Sequence, residues 1–354
     1  VNGGPGCSSL EGFFREHGPY LVDRATGNLV SNPYSYNTEF NVVYLESPAG
    51  VGFSYGTGPD DYTTNDTQAA SDAFTALQVL AGAFPELTGN PLFIAGESYA
   101  GVYVPMLTWL LASTPNSGWK VAGMAAGNGI TTYDFNSQSL VPFLAFHDII
   151  NGTLWAALDE ACTGNFSHPT TQECATMLSA AGAQFNADIA AGLNPYGLYD
   201  VGAVWLVVGL GFCSQSLTPH PPQQEALFVN ADLPPWSLCT SVLNYTKLVS
   251  DVRPYWKKLL SAGVDVLIYA GDIDTATNAI GNMAAVDSLG LPVAVPRQSW
   301  SATTGQLSGF VQTYGGTSGS LWYATVKGAG HLVPQDKPQE ALHLMASFAK
   351  GALP

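Results

Sequence analysis

The stretch Pro91-Leu92-Phe93-Ile94-Ala95-Gly96-Glu97-Ser98-Tyr99-Ala100-Gly101 decides the fold of this chain. Its first five residues are an apolar run of the kind found in a strand buried on both faces. From Tyr99 to Leu111 the pattern reads as a helix. Between them, Gly96-Glu97-Ser98-Tyr99-Ala100 has the small-x-Ser-x-small form of the G-x-S-x-G turn, in which a serine sits on a sharp, strained bend between strand and helix. Small residues two before and three after the serine let strand and helix approach closely. Ser98 would then project above the sheet edge, where the N-terminus of the following helix favours developing negative charge. A short match of this kind arises by chance in a glycine-rich chain. The strand–turn–helix context is what gives it meaning.

The same alternation extends in both directions. Asn41-Val42-Val43-Tyr44-Leu45 reads as a buried strand, followed by the turn Ser47 to Gly52. From Asp66, apolar residues at Ala69, Ala70, Ala73, Phe74, Leu77, Leu80, Ala81 and Phe84 recur at helical steps and stop before Pro85. Val121 to Ala126, Val264 to Ala270 and Tyr323 to Lys327 are further strands, and Asp251 to Ala262 and Pro338 to Lys350 further helices. Strands alternating with helices imply a mostly parallel central sheet covered on both faces, an α/β fold. Between about His147 and Ser250 the alternation fails and irregular helical fragments remain. The core is therefore read as 1–147 and 251–354, with 148–250 as a cap or insertion.

Composition narrows the function. The chain has 354 residues, with 11 Lys plus Arg against 27 Asp plus Glu, a formal net charge of −16. That balance lacks the positive field that phosphate backbones require, so nucleic acid is excluded as a partner and an anionic membrane surface is disfavoured. The longest apolar run, Val201 to Phe212, is too short for a membrane span. The five cysteines, Cys7, Cys162, Cys174, Cys213 and Cys239, have no metal-ligand spacing, so no metal is predicted. Sequons at Asn65, Asn151, Asn165 and Asn244 join the cysteines in pointing to an oxidising compartment.

A serine nucleophile needs a base and an orienting acid, which follow it in the order Ser, acid, His. His331 stands in Gly328-Ala329-Gly330-His331-Leu332-Val333-Pro334, directly after a predicted strand. His17, His147, His168, His220 and His343 lack that context. For the acid, Gly271-Asp272-Ile273-Asp274 follows the strand ending at Ala270. Chemistry alone leaves Asp272 and Asp274 open, one to orient the imidazole and the other to brace the turn.

Five ordered motifs now resemble the serine carboxypeptidase family: Asn2 to Ser9, Ser47 to Tyr55, Gly96 to Gly101, Tyr269 to Asp274 and Gly330 to Pro334. The resemblance runs the length of the chain. It implies an α/β-hydrolase fold and removal of C-terminal amino acids from peptides at acidic pH through an acyl-serine intermediate, with no cofactor. It also implies Asp274 as the catalytic acid beside Ser98 and His331, and an oxyanion hole from the backbone N–H groups of Gly4 and Tyr99. The free carboxylate of the substrate falls by resemblance to Asn2, Gly3, Glu16 and Glu97. Two acids suit an anion only because paired buried carboxyls do not both ionise easily, so that a protonated one donates a hydrogen bond in mild acid. By analogy Cys7 pairs with Cys239, Cys162 and Cys174 close a local loop, and Cys213 is left odd.

The resemblance carries further expectations. Family members have sequence before the Asn-Gly-Gly-Pro-Gly motif that includes first strands of the sheet, so this chain reads as lacking that segment. Gly127-Asn128-Gly129 either lines the peptide cleft or shapes a turn. Leu332, Phe14 and Tyr55 favour a hydrophobic C-terminal residue, whereas Arg15 admits an acidic one or pairs on the surface. The substrate partners are peptide or protein C-termini, and the compartment is secreted or vacuolar and lysosome-like. Two alternatives stand beside the peptidase: a carboxypeptidase-like acyltransferase that passes the acyl group to an alcohol, and a non-catalytic binding protein of hydrolase ancestry.

Overall fold

The computed structural model describes all residues except 24–25, 201–223, 226, 231, 304 and 317. The expectations that fall on Cys213, on His220 and on the apolar run from Val201 therefore lie outside the described residues. Ten strands are present among the described residues. β1 (Tyr20–Val22) and β2 (Leu29–Ser31) form a small antiparallel hairpin, and β3 (Thr63–Asn65) runs parallel to β6 (Asn244–Thr246). The remaining six make the central sheet: β4 (Pro91–Glu97), β5 (Lys120–Gly127), β7 (Asp265–Gly271), β8 (Val293–Trp300), β9 (Gly309–Gly315) and β10 (Ser320–Val326), in the order β4-β5-β7-β10-β9-β8. The pairs from β4 to β10 are parallel, and β9 and β8 extend the sheet antiparallel.

Alternate side chains of the central strands feed two different cores. Val266 and Ile268 of β7, with Leu321 and Tyr323 of β10, pack under helices α1 (Asp66–Ala83), α2 (Ala100–Ser113), α6 (Arg253–Ser261) and α7 (Ala279–Asp287). Leu267 and Tyr269, with Trp322, Ala324 and Val326, face the other way, against the short α8 (Val333–Asp336) and α9 (Pro338–Ala349). Both faces are apolar because both are covered, which is why these strands read as continuous hydrophobic runs. The predicted helix from Asp66 is α1. It is capped by Asn65, whose side chain accepts from Gln68 N at 3.0 Å, and it ends at Phe84 before Pro85.

Three features differ from the sequence reading. Asn41 to Leu45 is not a strand: it has no ladder partner among the described residues, and Asn41 and Val43 are exposed. Its polar groups serve the neighbouring loops, with Leu45 O accepting from Ser9 Oγ at 2.7 Å and Tyr44 Oη meeting His17 Nδ1 at 2.9 Å. β8, the outer antiparallel strand of the sheet, has no clear strand signature in the sequence, because it is mostly exposed and carries Pro296, Arg297 and Gln298. The segment after α3 (Tyr133–Phe146) is also more regular than expected, giving α4 (Gly152–Cys162) and α5 (Gln172–Ala190). These pack on Val141 and Leu144 of α3 around a core of their own with Leu158, Phe166 and the Cys162–Cys174 disulfide. The second disulfide, Cys7–Cys239, joins residues 232 positions apart in the chain.

The close approach of α2 to the turn after β5 depends on a missing side chain. A Cβ on Gly101 would stand 2.5 Å from Ile130 O and 2.6 Å from Ile130 N. Both are backbone atoms that cannot rotate away. Gly101→Ala is therefore expected to destabilise the protein by about 1–3 kcal/mol, read as a lowered urea midpoint with an unchanged slope. A midpoint equal to that of the unmutated chain would contradict this account of the packing.

Candidate active site

The site lies at the carboxyl ends of β4, β5 and β7 and beyond β10, the edge at which parallel α/β sheets collect functional loops. Ser98 follows Glu97, the last residue of β4, and has φ of 60°, a left-handed conformation that a non-glycine residue adopts at a cost. Its backbone is held on both sides. Ser98 N donates to Gly127 O at 3.2 Å and Asn128 O at 3.1 Å, and Ser98 O accepts from Gly101 N at 3.0 Å and Ile130 N at 2.9 Å.

The loop from Asn2 to Ser9 lies directly over this turn. A Cβ on Gly3 would stand 2.3 Å from Tyr99 N, so only a glycine lets the two backbones come this close. The loop is fixed from behind by Glu46, whose carboxylate accepts from Ser8 Oγ at 2.8 Å, Ser9 N at 2.7 Å and Phe53 N at 3.1 Å. Trp236 Nε1 donates to Ser8 Oγ at 2.9 Å, and the Cys7–Cys239 disulfide adds a covalent tie. Tyr99 is anchored separately: its hydroxyl donates to Asp66 Oδ1 at 2.7 Å, and the same fully buried carboxylate accepts from Tyr245 Oη, Leu248 N and Val249 N.

His331 Nδ1 lies 2.7 Å from Asp274 Oδ2 and 3.3 Å from Thr277 Oγ1. Asp274 is wholly buried and accepts from Asn128 Nδ2 at 2.9 Å, Thr277 Oγ1 at 3.0 Å and Ala276 N at 2.9 Å. Burial pushes the His331 imidazole toward its neutral form, but the charge and hydrogen bond of Asp274 outweigh it, and its pKa is raised. The carboxylate of Asp272 points elsewhere: it accepts from Gly328 N at 2.6 Å and braces the loop that leads to His331. The two aspartates left open by chemistry are thus separated by geometry.

Beside Ser98 sits a buried carboxyl pair. Asn2 Nδ2 donates to Glu97 Oε1 at 2.8 Å and to Glu16 Oε1 at 3.2 Å, with all three residues less than a tenth exposed. Burial, then the neighbouring Glu16 and Glu11, hold the Glu97 carboxyl well above the usual carboxylate range. Asn2, Gly3, Gly4, Glu97, Ser98 and His331 line a single cavity of about 400 Å³. Asp274, Tyr99 and Glu16 stand behind its wall and hold what faces it.

Some expectations about the wall do not hold. Phe14 is buried in the interior, and Tyr55 is 57% exposed; neither lines the cavity, and only Leu332 of the three apolar residues does. Arg15 lines it too, paired with Glu11. The four-residue spacing of these two was a readable signal for an ion pair. Asn128 does not line the cleft; it is fully buried, and its backbone and side chain connect Ser98 to Asp274. Nothing in its own sequence context announced that bridge. Asn128→Ala removes the donor to Asp274 while leaving the Ser98 contact. Turnover of an activated ester is expected to fall about 10²-fold with little change in KM, the effect of misorienting a catalytic group. An unaltered turnover number would refute this role.

Comparison with known proteins accords with this geometry. The family model for serine carboxypeptidases matches residues 1–351. The lysosomal protective protein of Mus musculus is 34% identical over 404 residues, covering 98% of this chain and 83% of that relative. Serine carboxypeptidase 1 of Hordeum vulgare is 30% identical, covering 99% and 83%. Kex1(delta)p, a prohormone-processing carboxypeptidase from Saccharomyces cerevisiae, superposes with a TM-score of 0.80 at 22% identity, covering 99% of this chain and 82% of that one, and shares the fold. A whole-length family match, a common architecture and a strained serine turn lining one cavity with the histidine of a His–Asp pair lead to one conclusion: the chain belongs to the serine carboxypeptidase family, has the α/β-hydrolase fold, and is a serine-type carboxypeptidase.

Proposed function

We propose that Ser98, His331 and Asp274 carry the peptidase reaction of this chain, and that Asn2, Gly3, Glu16 and Glu97 confine it to the C-terminal residue. The observation that carries this reading is the carboxyl pair joined through Asn2 at the foot of Ser98. A protonated Glu97 donates to the terminal carboxylate of the substrate, and Asn2 is a second polar group at the same place. An internal peptide segment offers no such anion. Gripping the carboxylate there sets the adjoining peptide bond over the serine.

Chemistry then follows from the remaining groups. Nδ1 of His331 is committed to Asp274, so Nε2 is the nitrogen available to the serine. Ser98 Oγ attacks the carbonyl carbon as His331 takes its proton. The oxyanion is stabilised by the N–H groups of Gly4 and Tyr99, and each such donor contributes roughly 10²–10³ in rate. His331 returns the proton to the leaving amino acid, and water releases the acyl group from Ser98 by the reverse sequence. Residues 148–250 act as a cap in this reading, since Asn194, Tyr196, Asp200, Leu238 and Cys239 supply one side of the cavity. The two disulfides and the lysosomal relative favour a lysosomal, vacuolar or secreted residence. Asn151 and Asn244, both exposed, are the sequons best placed for glycosylation.

The pH dependence has two limbs with opposite causes. The base must be neutral, so the raised pKa of His331 limits the rate on the acid side. Glu97 must be protonated, so its ionisation weakens peptide binding on the alkaline side. An ester lacking a free carboxylate is expected to rise to a plateau, whereas a peptide shows a bell. Glu97→Gln fixes the neutral form and is expected to move the peptide optimum upward while slowing ester hydrolysis less; identical profiles for both substrates before and after mutation would sink the idea. Incubation with an N-blocked dipeptide at about pH 5 tests the class itself. Ser98→Ala is expected to cut release of the C-terminal amino acid about 10⁶-fold, and release by both proteins would reject Ser98 as the nucleophile.

A further inference from the structure

The far wall of the cavity is charged, and Arg15, expected either to admit an acidic C-terminal residue or to pair on the surface, is part of it. Arg15 Nη1 and Glu11 Oε1 are 3.0 Å apart, with only 13% and 11% of the two side chains exposed. Arg15 Nη2 donates to Gln335 Oε1 at 2.9 Å, Gln335 Nε2 donates to Asp336 Oδ1 at 3.2 Å, and Asp336 Oδ2 accepts from Gly330 N at 2.7 Å. All four side chains line the cavity that holds Ser98 and His331. The pair is therefore tied, through one continuous chain of hydrogen bonds, to the loop that presents His331.

Its position relative to the substrate follows from connectivity, granting the carboxylate-binding roles proposed above. In a C-terminal residue a single carbon bears the scissile nitrogen, the carboxylate and the side chain. With the carboxylate at Asn2 and Glu97 and the peptide bond at Ser98, the side chain must meet the wall adjoining both. Glu11 and Arg15 belong to that wall, since they line the same cavity as Asn2, Glu97, Ser98 and His331. A guanidinium has five N–H donors, and Glu11 and Gln335, the hydrogen-bond partners of Arg15 among the described residues, engage one on each terminal nitrogen. Donors remain for a ligand.

We propose that Arg15 selects the C-terminal side chain and that Glu11 is its proton-controlled partner: with Glu11 protonated the pocket prefers an acidic C-terminal residue, and with Glu11 ionised it does not. A neutral Glu11 still accepts the hydrogen bond from Arg15 through its carbonyl oxygen, but no longer cancels the guanidinium charge. An ionised Glu11 cancels it and repels an acidic side chain. Burial pushes the Glu11 carboxyl up to about 7 against the lowering effect of Arg15, with Glu16 raising it further and His331 lowering it. The switch therefore falls between mild acid and weak alkali. The other charged groups around the pocket are Glu97, Asp200 and Asp336. Asp336 opposes the preference from the far side of Gln335, and Glu97 is itself driven toward its neutral form by burial.

The test compares two N-blocked dipeptides with the same first residue, one ending in Glu and the other in Gln. The ratio of their kcat/KM values cancels the titrations of His331 and Glu97, which act alike on both. Measured at about pH 5 and about pH 8, where a free Glu side chain is mostly ionised at both, the Glu:Gln ratio is expected to exceed one in acid and to fall about tenfold on going to alkali. Glu11→Gln, locked neutral, is expected to hold the acid ratio at both pH values. Arg15→Met is expected to bring the ratio below one at both. Release of both residues with a ratio that does not change with pH in the unmutated enzyme, or a Glu11→Gln variant that keeps the full pH dependence, would overturn the inference while leaving the exopeptidase reading in place. Failure to release any C-terminal residue from either peptide would overturn both.

Discussion

The site depends first on Asn128, a buried asparagine at the end of β5 that binds backbone groups at the ends of β4 and β7 at once. Its N–H donates to Tyr269 O at 2.8 Å, its side-chain oxygen accepts from Gly271 N at 2.9 Å, and its carbonyl accepts from Ser98 N at 3.1 Å. Its remaining donor goes to Asp274. One residue thus holds the Ser98 turn at the end of β4 and Asp274 after β7 in a common frame. If Asn128 moved, Ser98 N would keep only Gly127 O and Gly271 N would lose its side-chain acceptor, and leaving a buried polar group unpaired costs about 1–3 kcal/mol. The strained Ser98 persists because this frame and the contacts from Gly101 and Ile130 over-determine it.

Much of this was legible in the sequence. The parallel half of the sheet showed itself because β7 and β10 are apolar on both faces, and α1 because its apolar stripe ends in a proline. The nucleophile turn and His331 were visible from their positions after strands. Less local features were not. The antiparallel β8 is mostly solvent-exposed and polar from Arg297 to Ser299, so it lacks the hydrophobic signal that marks a strand, while Asn41 to Leu45 has that signal but no ladder partner among the described residues. The bridge made by Asn128 reaches Gly271 and Asp274, 143 and 146 positions further along the chain, and has no short-range pattern. The Glu11–Arg15 pair had one, the i,i+4 spacing, but only the fold places it in the cavity rather than on a surface.

Electrostatics unify the site more than its apolar packing does. Glu97 and Glu11 line the cavity beside Arg15, and Glu16 stands behind its wall, in a chain whose net charge is −16. Crowded, buried carboxyls of this kind are costly to ionise together, and that cost is useful if the substrate brings its own anion. In the proposed recognition, protonation converts that repulsion into a hydrogen bond to a free C-terminus, and an acidic working range then follows separately from the state of the histidine.

The most direct measurement compares one N-blocked dipeptide with its C-terminal amide across the range from acid to alkaline pH. The two share the scissile bond and every side chain and differ only in the terminal charge. The free acid is expected to be cleaved far faster than the amide in mild acid, with an advantage that shrinks steadily as the pH rises and Glu97 ionises. Equal rates for acid and amide, or an advantage that stays constant with pH, would contradict carboxylate recognition by a protonated Glu97.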